Sequence, residues 1–156
     1  MEYIDIRRED RLVFYRLLSA YYREGEDAET SQEELDSFIR YLFDKVIGGE
    51  LHGCLVMDDG APVGFALWAV DTEDFPFTEM PGLGTILEIG LIPAHRGCGQ
   101  GRKLVSFLEV HLSNQGVSQC YVCAYGPARL FWKRCGYEDS GKTGRNGLPI
   151  LIKTIR

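Results

Sequence analysis

Apolar residues along the chain follow two rhythms, and the changes of rhythm divide it into elements. Residues 3–6, Tyr-Ile-Asp-Ile, read as a short strand. Over 8–25, Val13, Leu17, Leu18, Tyr21 and Tyr22 recur at helical spacing, and Gly25 marks the stop. A second helix starts at Ser31, which makes a capping box with Glu34. Leu35, Phe38, Ile39, Leu42, Phe43, Val46 and Ile47 form its apolar stripe, closed by Gly48 and Gly49. Its aromatic residues Phe38, Tyr41 and Phe43 are expected mostly in the core. Runs at 51–57 and 62–70 read as strands joined by an Asp-Asp-Gly-Ala turn. Residues 71–84 hold two prolines and no period, a loop of a length that is often functional.

The second half alternates more quickly. A strand at 85–92 leads through a glycine-rich turn into a helix over 101–114, stopped by Gly116. Residues 118–125 form a strand and 127–135 a short helix with Pro127 near its start. Gly136 opens a further strand, 143–148 is a hairpin tip, and 148–155 is the last strand. This order predicts an α/β (α+β) layout on a single sheet of about six or seven strands, flanked by about four helices. The apolar 148–155 run reads equally as an internal strand or as an edge that would pair two copies in a homodimer.

Composition narrows the partners. A chain of 156 residues, 45% of them hydrophobic, suits one domain with a real core. The net charge of −6 argues against nucleic acid as the main partner. No apolar run is long enough for a membrane span, and the N-terminus lacks a secretory apolar stretch. Five cysteines, Cys54, Cys98, Cys120, Cys123 and Cys135, fit reduced thiols and a cytoplasmic location. Cys120 and Cys123 are spaced C-x-x-C, but on a strand they point to opposite faces, and no second ligand pair completes a metal site.

The glycine turn carries the chemistry. Gly97, Gly99 and Gly101 alternate along His95–Lys103 at the step from strand to helix. A helix N-terminus offers unpaired amides and positive potential, so an anion is favoured there. Arg102 and Lys103 sit where the dipole disfavours cations, and a bound anion offsets that conflict. The glycines permit unusual dihedrals and close approach to a diphosphate, with Arg96, Arg102 or Lys103 nearby. The spacing is not that of a P-loop, nor of the G-x-G-x-x-G dinucleotide fingerprint.

Arg96-x-x-Gly99-x-Gly101 resembles the R/Q-x-x-G-x-G/A motif of the GCN5-related N-acetyltransferase (GNAT) family, and Gly90–Gly97 resembles the end of that family's fourth strand. Downstream, Ala128, Phe131, Gly136 and Tyr137 fall in register with the family's A-x-x-F-Y-x-k-x-G-F segment. The resemblance implies a single GNAT-like domain over 1–156, with a mixed, mostly antiparallel sheet whose fourth and fifth strands splay. It implies acetyl-coenzyme A as co-substrate. Arg96, Gly97, Cys98, Gly99, Gln100, Gly101 and Arg102 would line the pyrophosphate, and Leu91 and Ile92 would offer backbone groups to the pantetheine arm. Phe131 and Trp132 would flank the cofactor.

Direct acetyl transfer to a primary amine of a small molecule or protein needs a base, an oxyanion donor and a proton for the thiolate. Glu88, a lone carboxylate in an apolar strand, is the candidate base, with Glu79 on the loop second. An amide near Ile92 is the candidate oxyanion donor. The family's usual tyrosine acid is replaced by Trp132, whose indole has no usable acidity, and Tyr125 stands as the substitute. His95 reads as a turn or packing residue, and Cys98 as incidental to the loop. Acidic segments, Glu24, Glu26, Asp27 and Glu29 in one and Asp71, Glu73, Asp74 and Glu79 in the other, suit a cationic acceptor. The alternative is a non-catalytic acetyl-coenzyme A sensor or partner module.

Overall fold

In a computed structural model the protein is described over residues 1–25 and 28–156. The elements run β1 (Glu2–Asp5), α1 (Arg11–Glu24), α2 (Gln32–Ile47), β2 (His52–Asp58), β3 (Ala61–Val70), β4 (Gly84–Leu91), α3 (Gln100–Asn114), β5 (Gln119–Cys123), α4 (Arg129–Arg134), β6 (Glu138–Thr143) and β7 (Pro149–Thr154). The strands form one seven-stranded sheet in the order β1-β2-β3-β4-β5-β7-β6. It is mixed: β1–β2, β5–β7 and β6–β7 are antiparallel, and β4–β5 is parallel. The expected α/β class and element order hold. β7 lies between β5 and β6, so β1 and β6 are the edges, and the last strand offers no free edge through which two copies could pair.

Two compact units make up the chain: Met1–Leu67 with Glu88–Gly101, and Trp68–Leu87 with Arg102–Arg156. In the first, α1 buries Phe14, Leu18 and Tyr22, one face at i, i+4, i+8. Phe14, outside the predicted stripe, is its fully buried start and meets Phe43 edge to face at 5.3 Å. α2 is capped by Ser31, whose side chain accepts the Glu34 amide at 3.2 Å. Phe43 is core, but Phe38 and Tyr41 lie at the surface, 37% and 40% exposed, because α2 buries only the Leu35-Ile39-Leu42-Phe43 side. Asp59 and Gly60 both take positive φ (50° and 79°), the two-residue hairpin turn that the Asp-Gly pair predicted.

β3 and β4 run antiparallel where they meet in this unit. Ile92 donates its amide to the Val63 carbonyl at 2.9 Å, and Gly64 lies against Gly90 and Leu91. A Cβ on Gly64 would sit 2.5 Å from the Gly90 oxygen, so the two strands approach as closely as they do only because residue 64 is glycine.

In the second unit α3 buries Leu104, Val105, Leu108, Glu109 and Leu112. It starts at Gln100, one residue earlier than predicted. The parallel ladder pairs Gly84 with Cys120 and Thr85 with Tyr121. β5 ends at Cys123, two residues short of the predicted strand, and the next amide, that of Ala124, goes to the Pro149 carbonyl. All five cysteines are free thiols, and burial pushes that of Cys120 up to about 12. Among the described residues no helix is long and apolar enough to cross a membrane.

Candidate active site

The loop between β4 and α3 is fixed at one end and open at the other. A 3-10 turn over Pro93–His95 follows β4. Its residues are tied down in succession: the Ile92 amide to Val63, the His95 amide to the Ile92 carbonyl at 2.9 Å, and the Arg96 amide to the Pro93 carbonyl at 3.2 Å. His95 also sets Nε2 2.9 Å from Asp58 Oδ2, which makes it the turn residue that the sequence suggested. Beyond Arg96 no backbone amide of 97–99 is bonded among the described residues. Gly97 and Gly99 have φ of +81° and +85°, a region that side-chain-bearing residues rarely adopt. Among the described residues, nothing lies within 4 Å of where a Cβ on either would stand.

This open stretch leads straight into the first turn of α3, whose leading amides have no partner within the helix. Consecutive free amides at a helix start form a cradle that fits a diphosphate. Gly101 does not share the unusual backbone of its two neighbours. It lies inside α3, so of the three glycines only Gly97 and Gly99 supply left-handed geometry. Cys98 is exposed, its thiol 3.7 Å from the His95 carbonyl. Arg102 and Lys103 are exposed on the first turns of α3.

The side-chain donors of Arg96 are engaged within the protein. Its Nε donates to the Leu91 carbonyl at 2.8 Å, and its two terminal nitrogens reach the Glu24 carboxylate at 2.8 and 3.2 Å. The side chain is thus turned back to β4 and α1. Ile92's amide is taken by Val63 and is not open to a ligand, while Leu91's carbonyl accepts from Arg96 with one of its two lone pairs. On an antiparallel ladder, alternate residues turn their backbone groups to opposite edges. With Ile92 bonded to β3, the amides of Leu91 and Ile89 face away from β3. Glu88 sits half-buried on β4, on the same strand face as Ile86 and Gly90.

In the second unit the loop after β3 is built around a buried carboxylate. Asp71 is fully buried; its Oδ2 accepts the amides of Glu79 (3.0 Å) and Met80 (2.8 Å) and the Tyr121 hydroxyl (2.7 Å). Its own amide and carbonyl bond Leu83 and Gly82, both at 2.8 Å, which closes the loop on itself. Burial alone would raise the Asp71 pKa. The Thr78 and Tyr121 hydroxyls and the two amides outweigh it and hold the carboxyl below its ordinary value. Asp71 is therefore no part of an acidic rim, and the loop's exposed acids are Glu73 and Asp74. Glu79 is tied up as well: it accepts the Arg145 amide at 2.7 Å and lies 3.6 Å from that residue's Nε. In the other acidic segment Glu29 is exposed, Glu24 is engaged by Arg96, and Glu26 and Asp27 lie outside the described residues.

Tyr125 lies past β5 as the residue before a 3-10 turn over Gly126–Ala128, half-buried rather than at a strand end. Trp132 is 6% exposed and packs edge-on against Phe131 and Tyr137, at 5.2 and 5.3 Å. It occupies the slot as packing. Tyr137 donates to Glu109 at 2.8 Å, and Lys153 reaches the same carboxylate at 2.9 Å. Nothing in the local pattern announced this network, because Glu109 reads as an ordinary polar position on an amphipathic helix.

The loop, the mixed sheet and the order of elements together define a coenzyme A-type acyltransferase fold. A profile of the acetyltransferase (GNAT) family matches residues 12–137, and the chain belongs to that family. The same fold is found in solved structures of low sequence identity. One is a PaiA N-acetyltransferase from Thermoplasma acidophilum in complex with coenzyme A, with TM-score 0.75 and 14% identity over 98% of each chain. Another is an acetyltransferase from Thermus thermophilus, with TM-score 0.76 and 18% identity over 98% of this chain and 96% of that one. A third is an aminoglycoside acetyltransferase, AAC(6')-Ib, in complex with coenzyme A, with TM-score 0.72 and 23% identity over 97% of this chain and 93% of that one. No curated protein matches the chain by sequence.

Proposed function

We propose that the 156 residues act as one domain that transfers the acetyl group of acetyl-coenzyme A to a primary amine of a small molecule or protein. The observation that carries this reading is the open cradle at Gly97–Gly99, with left-handed glycines, no Cβ and an α-helix start behind it. Coenzyme A in two structures of the same fold, PaiA and the aminoglycoside enzyme, supports the cofactor. Acetyl-coenzyme A brings the acyl thioester, and the chain's residues do the rest. The amides of Gly97–Gly101 bind the pyrophosphate, with Arg102 adding charge and Phe131 flanking the cofactor.

Glu88 takes the proton from the acceptor amine, directly or through water. The Leu91 amide, which faces away from β3, is a better oxyanion donor than that of Ile92, which is already bonded. Trp132 supplies no acid, so the leaving thiolate takes its proton from Tyr125 or from solvent. Exposed Glu29, Glu73 and Asp74 favour a cationic acceptor.

The buried indole at the usual acid position favours a second reading, a module that binds acetyl-coenzyme A without turnover. A calorimetric titration with acetyl-coenzyme A, free coenzyme A and ATP tests the first step. Binding of both coenzyme A forms and not of ATP is expected; binding of neither coenzyme A form overturns the reading. Amine-dependent release of free thiol across a panel of polyamines, aminoglycosides and lysine peptides then separates the enzyme from the module.

A further inference from the structure

The planar fork of Arg96 makes three bonds, and none of them points to the glycine cradle. Nε closes onto Leu91, five residues back, so the side chain staples the turn that holds Pro93–His95. The other two nitrogens grip both oxygens of Glu24, the last residue of α1. This bidentate geometry is one that a guanidinium makes and an ammonium does not. Glu24's carboxyl is held below its ordinary range, with the Arg96 hydrogen bond the largest cause.

The segment 92–96 is thereby fixed by Val63, Asp58 and Glu24 in turn, and the freedom begins at Gly97. We propose that Arg96 is a positioning residue: through Glu24 and the Leu91 carbonyl it braces the backbone that presents the Gly97–Gly99 amides, and it does not itself contact the phosphate. The proposal rests on the reading of that cradle as the pyrophosphate site.

The two roles give opposite signs. Had Arg96 been a phosphate ligand, removal of Glu24 would free a cation and leave affinity equal or higher. As a brace, Arg96 needs Glu24, and its loss loosens the cradle. Three variants, Glu24→Gln, Arg96→Gln and Arg96→Lys, are titrated with acetyl-coenzyme A by calorimetry. Both Arg96 and Glu24 are about half exposed (side chains 45% and 47%), so the variants fold. Their unfolding midpoints check this.

The brace predicts that Glu24→Gln and Arg96→Gln each weaken binding about twofold to fivefold, the scale of a surface ion pair. The double variant is no weaker than the worse single. Arg96→Lys, which keeps the charge but loses the fork, behaves like Arg96→Gln. Unchanged or tighter binding in Glu24→Gln, or full retention in Arg96→Lys, overturns the proposal.

A ligand-free readout separates this from the functional reading. Amide hydrogen exchange over 92–96 quickens in Glu24→Gln and Arg96→Gln if the brace is real, because the His95 and Arg96 amides are bonded within that turn. Wild-type protein that binds no coenzyme A refutes the proposed function, and the exchange rates alone then decide the brace. Unchanged exchange refutes the brace even where coenzyme A binds.

Discussion

The Glu79 carboxylate accepts the Arg145 backbone amide at 2.7 Å, while the Arg145 guanidinium donates to the Thr78 carbonyl at 2.6 Å. The loop after β3 is thus fastened at two successive residues to the tip between β6 and β7. This weighs against Glu79, the second of the two carboxylates that the sequence offered as base. Glu79 is 14% exposed at its side chain and already has a partner for each oxygen, so taking a proton from an amine would break the clasp. Replacing Glu88 by Gln should lower kcat about 10²- to 10⁴-fold, the usual worth of a general base. Glu79→Gln should cost less than about tenfold in kcat and show mainly in the acceptor KM. Steady-state rates on both variants measure the ranking, and the reverse order would move the base to the loop.

At the cradle, Gly99 has φ of +85°, and no described residue lies within 4 Å of where its side chain would start. Gly99→Ala carries a backbone penalty of about 1–2 kcal/mol. Gly99→Asp carries a similar penalty and also places a carboxylate where the pyrophosphate would lie. Its unfolding midpoint should match that of Gly99→Ala, whereas its coenzyme A affinity should fall at least about tenfold further by like-charge repulsion. Thermal melts beside calorimetry read the two effects separately. Equal affinity in the two variants would place the anion elsewhere.

Asp71 carries a pH dependence whose sign follows from its lowered pKa. In the unfolded chain this carboxyl titrates near its ordinary 3.8, and in the folded protein below that. The folded state therefore gains from the ionised form. That gain is complete above 3.8 and drains away as the pH falls through the depressed folded value. Asp71→Asn removes it at all pH. The difference in urea midpoint between wild type and variant should hold steady from neutral pH down to about 5, then narrow in more acid solution. A difference that widens on acidification would contradict the hydrogen-bonded, ionised assignment.

The boundaries of most elements were legible because their signals are local. Ser31 caps the amide three residues on, Asp59-Gly60 makes its own turn, and the stripe Leu35-Ile39-Leu42 lies on one helix face. What stayed hidden involves partners distant in the chain. Tyr121 finds Asp71 fifty positions away, and Arg96 finds Glu24 seventy-two away. Local spacing around Arg96 gives no sign of the carboxylate seventy-two positions away that holds its guanidinium. The last strand could not be placed from its pattern, since an apolar run looks the same in the middle of a sheet as at its edge. Helix phase failed by one position in α1, where Phe14 rather than Val13 faces the core.

Glu109 lies on a face of α3 otherwise made of leucine and valine, and it is stable there only because two donors from later elements reach it. Tyr137 and Lys153 occupy its two oxygens separately, so each can be removed while the other stays. Lys153→Met takes away the cation paired with this carboxylate and leaves a buried charge held by one hydroxyl. A partial exposure of 27% at Lys153 lets water soften the loss, and about 1–3 kcal/mol is expected. Tyr137→Phe leaves the ion pair and removes one hydrogen bond, so it should cost about 0.5–1.5 kcal/mol. Glu109→Gln removes the more deeply buried charge and keeps an oxygen for Tyr137, and the Lys153 ammonium it leaves unpaired is 27% exposed to water; it should be less damaging than Lys153→Met. Denaturant titrations of the three variants give the order Lys153→Met, then the other two. If Glu109→Gln proves the most damaging, the carboxylate's charge itself holds α3 in place, and the pairing rather than the hydrogen bond is what the fold requires.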